Sequence, residues 1–520
     1  MALTKVTYSM IEGASFSILD FGAVGDGIAN DTAAIQAAVD AAEANGGGTV
    51  YIPTGTYKIT ATIEVPFGVS IYGEGASVSV INCINCDGLT FDSPTYDSGN
   101  MFYRDFTIDG TGSTGNYVGV VSLLPSGGTF GTDSRDGLHF HRVDVHDFNE
   151  AFVFAATWET HLTECRIYRC NTGVSLLNYT LEIRINNCNF ICEGGFASGT
   201  AVKRGVDIVG PTSEAIYIVG NYIYGFDDCV KSDLSIALVI RDNDFLGLDT
   251  GVTLGGAART GCVISSNYFD MSIANSVGIK GLVQAVENEN LYVVENNAFV
   301  GNGLSVNTTG ILIGDSSNTY SWYWRITNNY FRGLTDTDIK AFNTRNTIIQ
   351  NNRCDSIAPT NSIYISGNAA PYFANYILNN YCRKAIYADA NDLTSGRVIL
   401  NQNVISGVQA YGNGFFNDII AEGRTYTHIG GQYVLPGANF DDTYAVPEYA
   451  MLIMSVFLET ATNTHTSGLY IVVRTGTLVT ISPAVNLTSL AITPNVDYTL
   501  NFENVGASGG NAIISMLRVR

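Results

Sequence analysis

The fold of this chain is decided by the stretch Ile218–Gly256, IVGNYIYGFDDCVKSDLSIALVIRDNDFLGLDTGVTLGG. The stretch contains two copies of one unit, because I-V-G-N-Y-I recurs as I-R-D-N-D-F and D-D-C-V recurs as D-T-G-V. The successive spacings of its asparagine are 22, 24, 30, 32, 23, 28 and 23 residues. A minimum period with occasional longer steps is typical of a solenoid in which some coils carry insertions. The repeated asparagines are Asn221, Asn243, Asn267, Asn297, Asn329, Asn352, Asn380 and Asn403.

The residues between these asparagines predict strands and no helices. Short runs such as VGIKG, TGILI and SIYIS alternate apolar and polar residues, which is the pattern of half-buried strands. Strands of one kind that recur once per coil stack into parallel sheets, so the repeat predicts a parallel β-helix. An asparagine at the same turn of every coil is expected to form a ladder that satisfies backbone groups left unpaired by the turn. Cys165 and Cys188 occupy this position in earlier coils, and Val143 is the next candidate upstream.

The composition supports an all-β chain and excludes some partners. Only 14 % of the 520 residues are charged, 55 are glycine, and the formal net charge is −22. Such a charge argues against general binding to nucleic acid or anionic membranes. The ten cysteines, several of them at repeat positions, are expected to be buried thiols made in a reducing compartment, with no metal and no cofactor. Cys83-x-x-Cys86 is a lone pair, which we interpret as structural. No signal peptide or membrane span is apparent, so we expect no membrane insertion.

The N-terminal region carries a capping element. Asn30 or Asp31 is a helix N-cap and Asn45-Gly46 a stop, so a helix is predicted over Asp31–Ala44. Its apolar positions fall on one face, which would cover the open first coil of the solenoid. Those positions are Ile35, Ala38, Val39 and Ala42.

The motifs D-F-G-A-V-G-D-G, N-D-T-A-A-I-Q-A-A and G-G-G-T-V-Y-I-P-T-G-T-Y resemble the opening of pectate-lyase-like β-helices, most of all those of bacteriophage tailspikes and of capsule or O-antigen depolymerases. The resemblance implies a right-handed parallel β-helix over residues 15–420, with an N-terminal capping helix. Residues 1–14 would be an attachment peptide that docks on the phage tail or another tailspike. The longer alternating runs of residues 421–520 predict a C-terminal antiparallel β-sandwich, which in tailspikes serves trimerisation or glycan binding.

Four successive coils carry the residues expected to do chemistry: KRGVDIVG, FDDCVKSD, LDTGVTLGG and SVGIKGLV. Their order resembles the N-T-D, D-D, G-H-G and R-I-K motifs of polygalacturonases. The D-D is retained as Asp227-Asp228 and the I-K as Ile279-Lys280, whereas Asp249-Thr250-Gly251 lacks the histidine. The N-T-D position reads Val202-Lys203-Arg204, and these departures argue against a pectin-type substrate.

Cleavage of a glycosidic bond requires one carboxylic acid and one carboxylate. We predict that Asp228 or Asp227 is the acid and Asp249 its partner, with Asp207 as a further candidate. The predicted substrate-binding residues are Lys203, Arg204, Lys231, Lys280, Trp322 and Tyr323. The simpler interpretation, solvated or turn-forming acids on a solenoid face, stays open at this stage. So does a second carboxylate set, Glu287, Glu289 and Glu295.

The histidines of LHFHRVDVHDF (His139, His141 and His146) invite a metal interpretation. They lie on early coils away from the acids, so surface or packing roles are favoured. The predicted function is therefore a virion-borne tailspike depolymerase, a homotrimer made in the host cytoplasm, that hydrolyses a bacterial surface polysaccharide. A polysaccharide lyase with Lys231, Lys280 or a tyrosine as base, and a non-catalytic receptor-binding fibre, are the alternatives.

Overall fold

The structure is a computed structural model. It describes all residues except 1–14, 92–98, 124–134, 194–201, 211, 234–235, 256–260, 283–290, 315–320, 367–374, 389–397, 402, 406–415, 422–423, 430–432, 436–440, 446–450, 461–464, 476–477, 486–489, 495–498, 505–509 and 520. The chain divides into two compact units. The first reaches to Thr344 and includes Asp355–Pro359, and the second comprises Arg345–Cys354 and Thr360–Arg520.

The first unit is a parallel β-helix, as the repeat predicted, and one strand of each coil joins what we call the front sheet. Each front-sheet strand pairs in parallel with the front-sheet strands of the coils before and after it. The front-sheet strands of this unit are Ile63–Glu64, Leu89–Thr90, Val118–Ser122, Glu150–Phe154, Thr172–Leu176, Arg204–Ile208, Asp228–Ser232, Thr250–Leu254, Val277–Gly281, Thr309–Ile313 and Thr337–Phe342.

The remaining strands of each coil form the back sheet, which bends at the turn that carries the repeated asparagine. In this unit its strands are Phe16–Ser17, Asp26–Asn30, Gly48–Ile52, Gly55–Ile59, Val69–Gly73, Ser79–Cys83, Met101–Asp109, Arg135–Asp136, Leu138–His146, Thr157–Trp158, His161–Thr163, Arg166–Tyr168, Thr180–Leu181, Arg184–Asn186, Asn189–Ile191, Glu214–Val219, Tyr222–Tyr224, Ile236–Arg241, Asp244–Leu246, Cys262–Ser265, Tyr268–Asp270, Tyr292–Glu295, Ala298–Val300, Trp324–Thr327 and Tyr330–Arg332. Two further short strands are Ser321–Trp322 and Thr344–Arg345.

The predicted capping helix is confirmed and spans Thr32–Ala44, with all four predicted apolar residues buried. Its N-cap residue, Asp31, does not cap the helix with its side chain. The carboxylate instead accepts hydrogen bonds from the backbone N–H groups of Val24 (2.7 Å) and Gly25 (3.1 Å). Asn30 takes over the capping role, because its Oδ1 accepts the N–H of Thr32 (3.1 Å). The N-D pair of the opening motif thus joins the helix to the loop before it. In the described part of the chain, no helix is long and apolar enough to cross a membrane.

The asparagine ladder is also confirmed, and each rung satisfies its neighbour. Oδ1 of Asn267 accepts both the backbone N–H (3.0 Å) and the side-chain N–H (2.9 Å) of Asn243. Its Nδ2 donates to the carbonyl of Ile240 (3.0 Å) and to Oδ1 of Asn297 (2.9 Å). Asn221 begins this series and Asn329 ends it within the first unit, and the rungs are almost fully buried.

Cysteine replaces asparagine in the earlier coils, as the spacing indicated. Sγ of Cys188 donates to the carbonyl of Leu162 (3.6 Å), and Sγ of Cys165 donates to the carbonyl of Phe140 (3.6 Å). The thiol therefore makes the bond to the preceding coil that an asparagine Nδ2 makes elsewhere. All ten cysteines lie in the described part of the chain, are buried and form no disulfide.

Stacked phenylalanines fill the interior, and several coils carry a glycine that contacts them. The rings of Phe245, Phe269, Phe299 and Phe331 follow one another at 4.9, 4.6 and 4.8 Å. The glycine after the first residue of a front-sheet strand makes room for them. At Gly278 an added Cβ would lie 2.5 Å from the Phe299 ring, so no larger residue fits without displacing the stack.

The second unit begins with parallel strands and continues with antiparallel ones. Its parallel strands are Ile348–Gln350, Arg353–Cys354, Asn361–Ser366, Asn375–Leu378, Tyr381–Cys382, Ala385–Ala388, Val398–Asn401 and Val404–Ile405. A ladder from Asn352 through Asn380 to Asn403 joins these coils. The antiparallel strands are Phe416–Ala421, Arg424–Ile429, Tyr433–Leu435, Asp441–Ala445, Met451–Thr460, His465–Thr475, Leu478–Val485, Leu490–Pro494, Thr499–Asn504 and Gly510–Val519.

The antiparallel strands form one seven-stranded and one three-stranded sheet. Their packing as a sandwich, the boundary at residues 420 and 421, and the role of this domain stay predictions. The attachment peptide, residues 1–14, lies outside the described residues.

Candidate functional site

The candidate site lies on the front sheet, where strands of consecutive coils align in the register expected from their sequences. Val206 pairs with Val230, Val230 with Val252, and Val252 with Ile279. Arg204 therefore faces Asp228 across the sheet, and Asp228 faces Thr250. Because parallel strands lie about 4.8 Å apart, this register decides which side chains meet.

Three carboxylates converge at the beginning of these strands. Thr250 pairs with Asp228, and its N–H donates to the carbonyl of Asp227 (2.7 Å), so Asp249 lies beside Asp227 and one residue out of step with Asp228. Asp227 and Asp228 are half-buried and Asp249 is more exposed. We call Asp227, Asp228 and Asp249 the acidic trio.

Hydrogen bonds distinguish the members of the acidic trio. Oδ2 of Asp227 accepts the backbone N–H of Lys203 (2.8 Å), and Oδ1 of Asp228 accepts the hydroxyl of Thr253 (2.7 Å). Burial raises the pKa of Asp249, and the charges of Asp227 and Asp228 raise it further. The trio therefore combines two hydrogen-bonded carboxylates with one carboxyl group, that of Asp249, whose pKa is raised above its usual value.

Asp207 lies apart from the acidic trio. It pairs with Lys231, and Lys231 pairs with Thr253, so Asp207 lies two coils and four strand positions from Asp249. That offset corresponds to about 16 Å between backbones. Asp207 is only 5 % exposed and accepts a hydrogen bond from Nη1 of Arg204 (2.6 Å). That separation exceeds the roughly 6.5–9.5 Å between the carboxyl groups of an inverting site, so Asp207 is too far from Asp249 to be its catalytic partner.

Of the predicted cations, Lys203 and Arg204 adjoin the acidic trio, whereas Lys231 and Lys280 lie three to four strand positions further along the front sheet. Lys203 and Arg204 lie one coil before Asp227 and Asp228, and Lys280 lies two coils after Lys231. Nζ of Lys231 is paired with Asp233 (2.6 Å). A lysine whose ammonium donates to a carboxylate is a poor proton acceptor, so Lys231 is a weak candidate for a lyase base.

The aromatic candidates belong to the other side of the coil. Tyr323 is half-buried, has φ +58° and lies directly before the back-sheet strand Trp324–Thr327. Trp324 is a core residue that stacks on Tyr292 at 4.6 Å. The side chain of Trp322 lies outside the described residues. Of the second carboxylate set, Glu295 is on the back sheet, and Glu287 and Glu289 also lie outside the described residues.

A cluster of Asp109, His146 and Asp147 has the composition of a metal site. Asp147, however, already accepts hydrogen bonds from Nε and Nη2 of Arg169, from Thr111 and from His146. The Arg169 guanidinium holds the pKa of Asp147 far below its usual range, although burial acts in the opposite direction. Arg169 thus occupies the place that a cation would take.

Comparison with known proteins agrees with this architecture. Residues 15–85 match the family described as rhamnogalacturonase A/epimerase, pectate lyase-like. Over 147 residues, 26 % of the chain, the sequence is 35 % identical to mannuronan C5-epimerase AlgE4 of Azotobacter vinelandii, and the match spans 26 % of that relative. Over 189 residues it is 26 % identical to the tail spike protein of Shigella phage Sf6, which covers 34 % of this chain and 29 % of the phage protein.

Among solved structures, a point mutant of the tailspike protein of E. coli bacteriophage HK620 in complex with a pentasaccharide has a TM-score of 0.51. The alignment covers 97 % of this chain and 93 % of that one, at 15 % identity. At that identity the likeness concerns the fold, which is the parallel β-helix derived above. The chain is therefore a parallel β-helix protein whose residues 15–85 match a pectate-lyase-like family, with a phage tail spike among its homologues.

Proposed function

We propose that this protein is a tailspike depolymerase that cleaves a bacterial surface polysaccharide, capsule or O-antigen, by endo-glycosidic hydrolysis. The observation that carries the proposal is the acidic trio, in which one carboxyl group has a raised pKa next to two hydrogen-bonded carboxylates. Hydrolysis of a glycosidic bond uses this combination, because the acid protonates the leaving oxygen and the base activates water. One relative is named a mannuronan C5-epimerase and another a tail spike protein, and these names support a polysaccharide as substrate.

Within this proposal the roles differ from those expected from the sequence. Asp249 is the general acid, since burial and two neighbouring negative charges favour its protonated form. Asp228 is the base, since it lies one coil and one residue from Asp249, and its Oδ1 is held by the hydroxyl of Thr253. Asp227 supplies negative charge beside Asp249. Lys203, Arg204 and Lys280 are proposed to bind the glycan around the cleaved bond.

The register favours inversion at the anomeric carbon. Asp228 and Asp249 are one coil and one residue apart, which corresponds to about 6 Å between backbones. Inverting glycosidases hold their carboxyl groups about 6.5–9.5 Å apart, to leave room for water, and retaining ones about 5–5.5 Å apart. Side chains that diverge from these two positions reach the inverting range.

A second candidate function is a lyase or epimerase reaction at a uronic acid. It is favoured by relatives named mannuronan C5-epimerase and alginate lyase, at 35 % and 33 % identity over about a quarter of this chain. An epimerase leaves the polymer length unchanged, and a lyase leaves an unsaturated sugar at the new end. Both outcomes are distinguishable from hydrolysis by the products.

The test of the proposed function is incubation with a panel of bacterial capsules and O-antigens, followed by mass spectrometry of the fragments. We expect one polymer to be cut into repeat-unit oligosaccharides with the mass of one added water per cut. Binding of a polymer without shortening it, across the whole panel, would instead indicate a receptor-binding fibre.

The pH dependence of cleavage tests the assignment of Asp249. A general acid works only while protonated, so activity should fall as the pH rises through the pKa of Asp249. Asp227→Asn removes a negative charge that raises this pKa and keeps an oxygen for the N–H of Lys203. We therefore expect the alkaline limb of the kcat profile to move to lower pH. An alkaline limb that stays in place or moves to higher pH would contradict the assignment. The matched control is Asp244→Asn, which changes an exposed acid on the back sheet of the same coil.

The quaternary structure and location belong to the same proposal. We propose a homotrimer on the virion, joined to the phage tail or to another tailspike through residues 1–14, with residues 421–520 assisting trimerisation. Light scattering coupled to size exclusion should give three times the 55.7 kDa of one chain. A monomer would contradict the trimer.

A further inference from the structure

Arg204 and Asp207 form an ion pair on the front sheet, one coil before the acidic trio. Both belong to the strand Arg204–Ile208, and Nη1 of Arg204 donates to Oδ2 of Asp207 (2.6 Å). The side chain of Asp207 is 7 % exposed and that of Arg204 is 28 % exposed. The carboxylate of this pair is therefore almost out of contact with solvent, whereas part of the guanidinium still reaches the surface.

The register of the sheet gives Arg204 a second possible partner. Arg204 is the direct neighbour of Asp228, and the backbones of neighbouring strands are about 4.8 Å apart. In the described part of the chain, however, Arg204 forms its ion pair with Asp207 and none with Asp228. Oδ1 of Asp228 is instead held from the following coil, by the hydroxyl of Thr253 (2.7 Å). The side chain of Arg204 is thus directed along its own strand, to Asp207.

The neighbours of Asp207 in the sheet are engaged with other groups. Ser175 pairs with it from the preceding coil and Lys231 from the following one. The hydroxyl of Ser175 donates to Glu150, and Nζ of Lys231 donates to Asp233 (2.6 Å). Among the described residues, Oδ1 of Asp207 has no hydrogen-bond partner. The arginine of the same strand therefore compensates the charge of this buried carboxylate.

Burial favours the pairing with Asp207 over one with Asp228. A buried carboxylate that loses its cation carries an uncompensated charge, which is strongly unfavourable. If Arg204 turned to Asp228, Asp207 would be left in that state. Asp228 is only half-buried and keeps the contact with Thr253, so it loses less without the arginine.

We propose that Asp207 is a positioning residue, which holds Arg204 away from Asp228 and presents the rest of the guanidinium to the glycan. An arginine paired with Asp228 would occupy the carboxylate that has to accept a proton from water. By binding Nη1, Asp207 leaves Asp228 free for that task and fixes a planar group with further N–H donors one coil away. The catalytic consequence rests on the proposed function, whereas the placement of Arg204 does not.

The kinetic test compares Asp207→Ala with the variant that also carries Arg204→Ala. Asp207→Ala frees the arginine to pair with Asp228, so we expect kcat on the cleaved polymer to fall by roughly 10-fold or more, up to the 10²–10⁴-fold that general base catalysis contributes. The double variant should regain most of kcat, because the competing cation is gone, although its KM should rise. Arg241→Ala, which breaks an exposed ion pair with Asp242 (3.7 Å), is the matched control and should retain the wild-type kcat.

Recovery in the double variant separates positioning from a purely structural role. If Asp207 only stabilised the fold, removal of a second buried partner would not restore activity. An unchanged kcat in Asp207→Ala, or a double variant no more active than Asp207→Ala, would overturn the proposal while leaving the hydrolase in place.

A crystal structure of full-length Asp207→Ala tests the placement of Arg204 without any substrate. We expect its guanidinium to move within ion-pair distance of Asp228. A guanidinium in the same place as in the wild type would overturn the inference. A turned guanidinium in a protein that cleaves no polymer of the panel would support the placement and contradict the proposed function alone. If the alanine variant does not fold, Asp207→Asn, which keeps the shape and loses the charge, replaces it in both measurements and should change them in the same direction.

Discussion

Asp249→Asn is expected to lower the turnover of the cleaved polysaccharide by roughly 10²–10⁴-fold, the contribution that general acid catalysis makes. The amide has no acidic proton to give to the leaving oxygen, although it fills the same space. Partial burial and the charges of two neighbouring carboxylates raise the pKa of Asp249. Its replacement therefore removes the group proposed to act as the acid. Measurement of kcat on the polymer identified by the panel checks this expectation.

The controls for this prediction separate catalysis from folding. Asp244→Asn lies on the other sheet of the same coil and should retain wild-type turnover. Unchanged circular dichroism and unchanged affinity for the intact polymer would show that the Asp249 variant still folds and binds. Wild-type activity in Asp249→Asn would contradict its role as acid, whereas a loss of affinity at unchanged turnover would make it a binding residue.

Asn267→Ala is expected to destabilise the β-helix strongly, because its side chain is a buried rung of the asparagine ladder. It removes the acceptor of the backbone N–H of Asn243 and the donor to the carbonyl of Ile240, both inside the β-helix. Each of these two orphaned buried groups costs about 1–3 kcal/mol, so the expected loss in the free energy of unfolding is about 2–6 kcal/mol. Denaturant unfolding, or its rate where refolding is incomplete, measures the loss.

Two matched variants test the reason for this loss. Asn267→Cys restores a donor toward Ile240, as Cys188 does toward Leu162, and should be less destabilising than alanine. Asn189→Ala removes an exposed asparagine from a neighbouring position of the coil and should change the free energy of unfolding by less than about 0.5 kcal/mol. Equal losses for the alanine and cysteine variants would mean that the hydrogen bond to Ile240 contributes little.

Much of the fold was predictable because the coil repeats its own physical constraints. A buried turn must satisfy the same backbone groups in every coil, so Asn243 and Asn267 identify the period directly. The capping helix was predictable from amphipathicity. The use of Asp31 was not, since its carboxylate bonds to a loop whose path depends on the folded cap. The left-handed residues before the rungs, such as Asp242 at φ +57°, were also missed, although asparagine, aspartate and glycine at those places are a usable signal.

The candidate site was predictable only as far as register follows from the repeat. Alignment of coils on the strand after the asparagine turn places Asp227, Asp228 and Asp249 together, and the structure agrees. Asp207 lies apart from the trio because it is three residues beyond Arg204 along its strand, and Arg204 is the residue that pairs with Asp228. The charge roles within the trio depend on burial and on hydrogen bonds such as Thr253 to Asp228, which a sequence does not show.

Proton NMR of the first product formed from the cleaved polysaccharide tests the acid–base pair of Asp249 and Asp228 most directly. A carboxylic acid and a carboxylate with water between them should release a reducing sugar whose anomeric configuration is inverted relative to the polymer. The anomeric signal must be read before mutarotation, and the Asp249→Asn variant should not produce it at a comparable rate. A retained anomer would contradict the water-bridged pair, and an unsaturated sugar end would show a lyase in place of the proposed hydrolase.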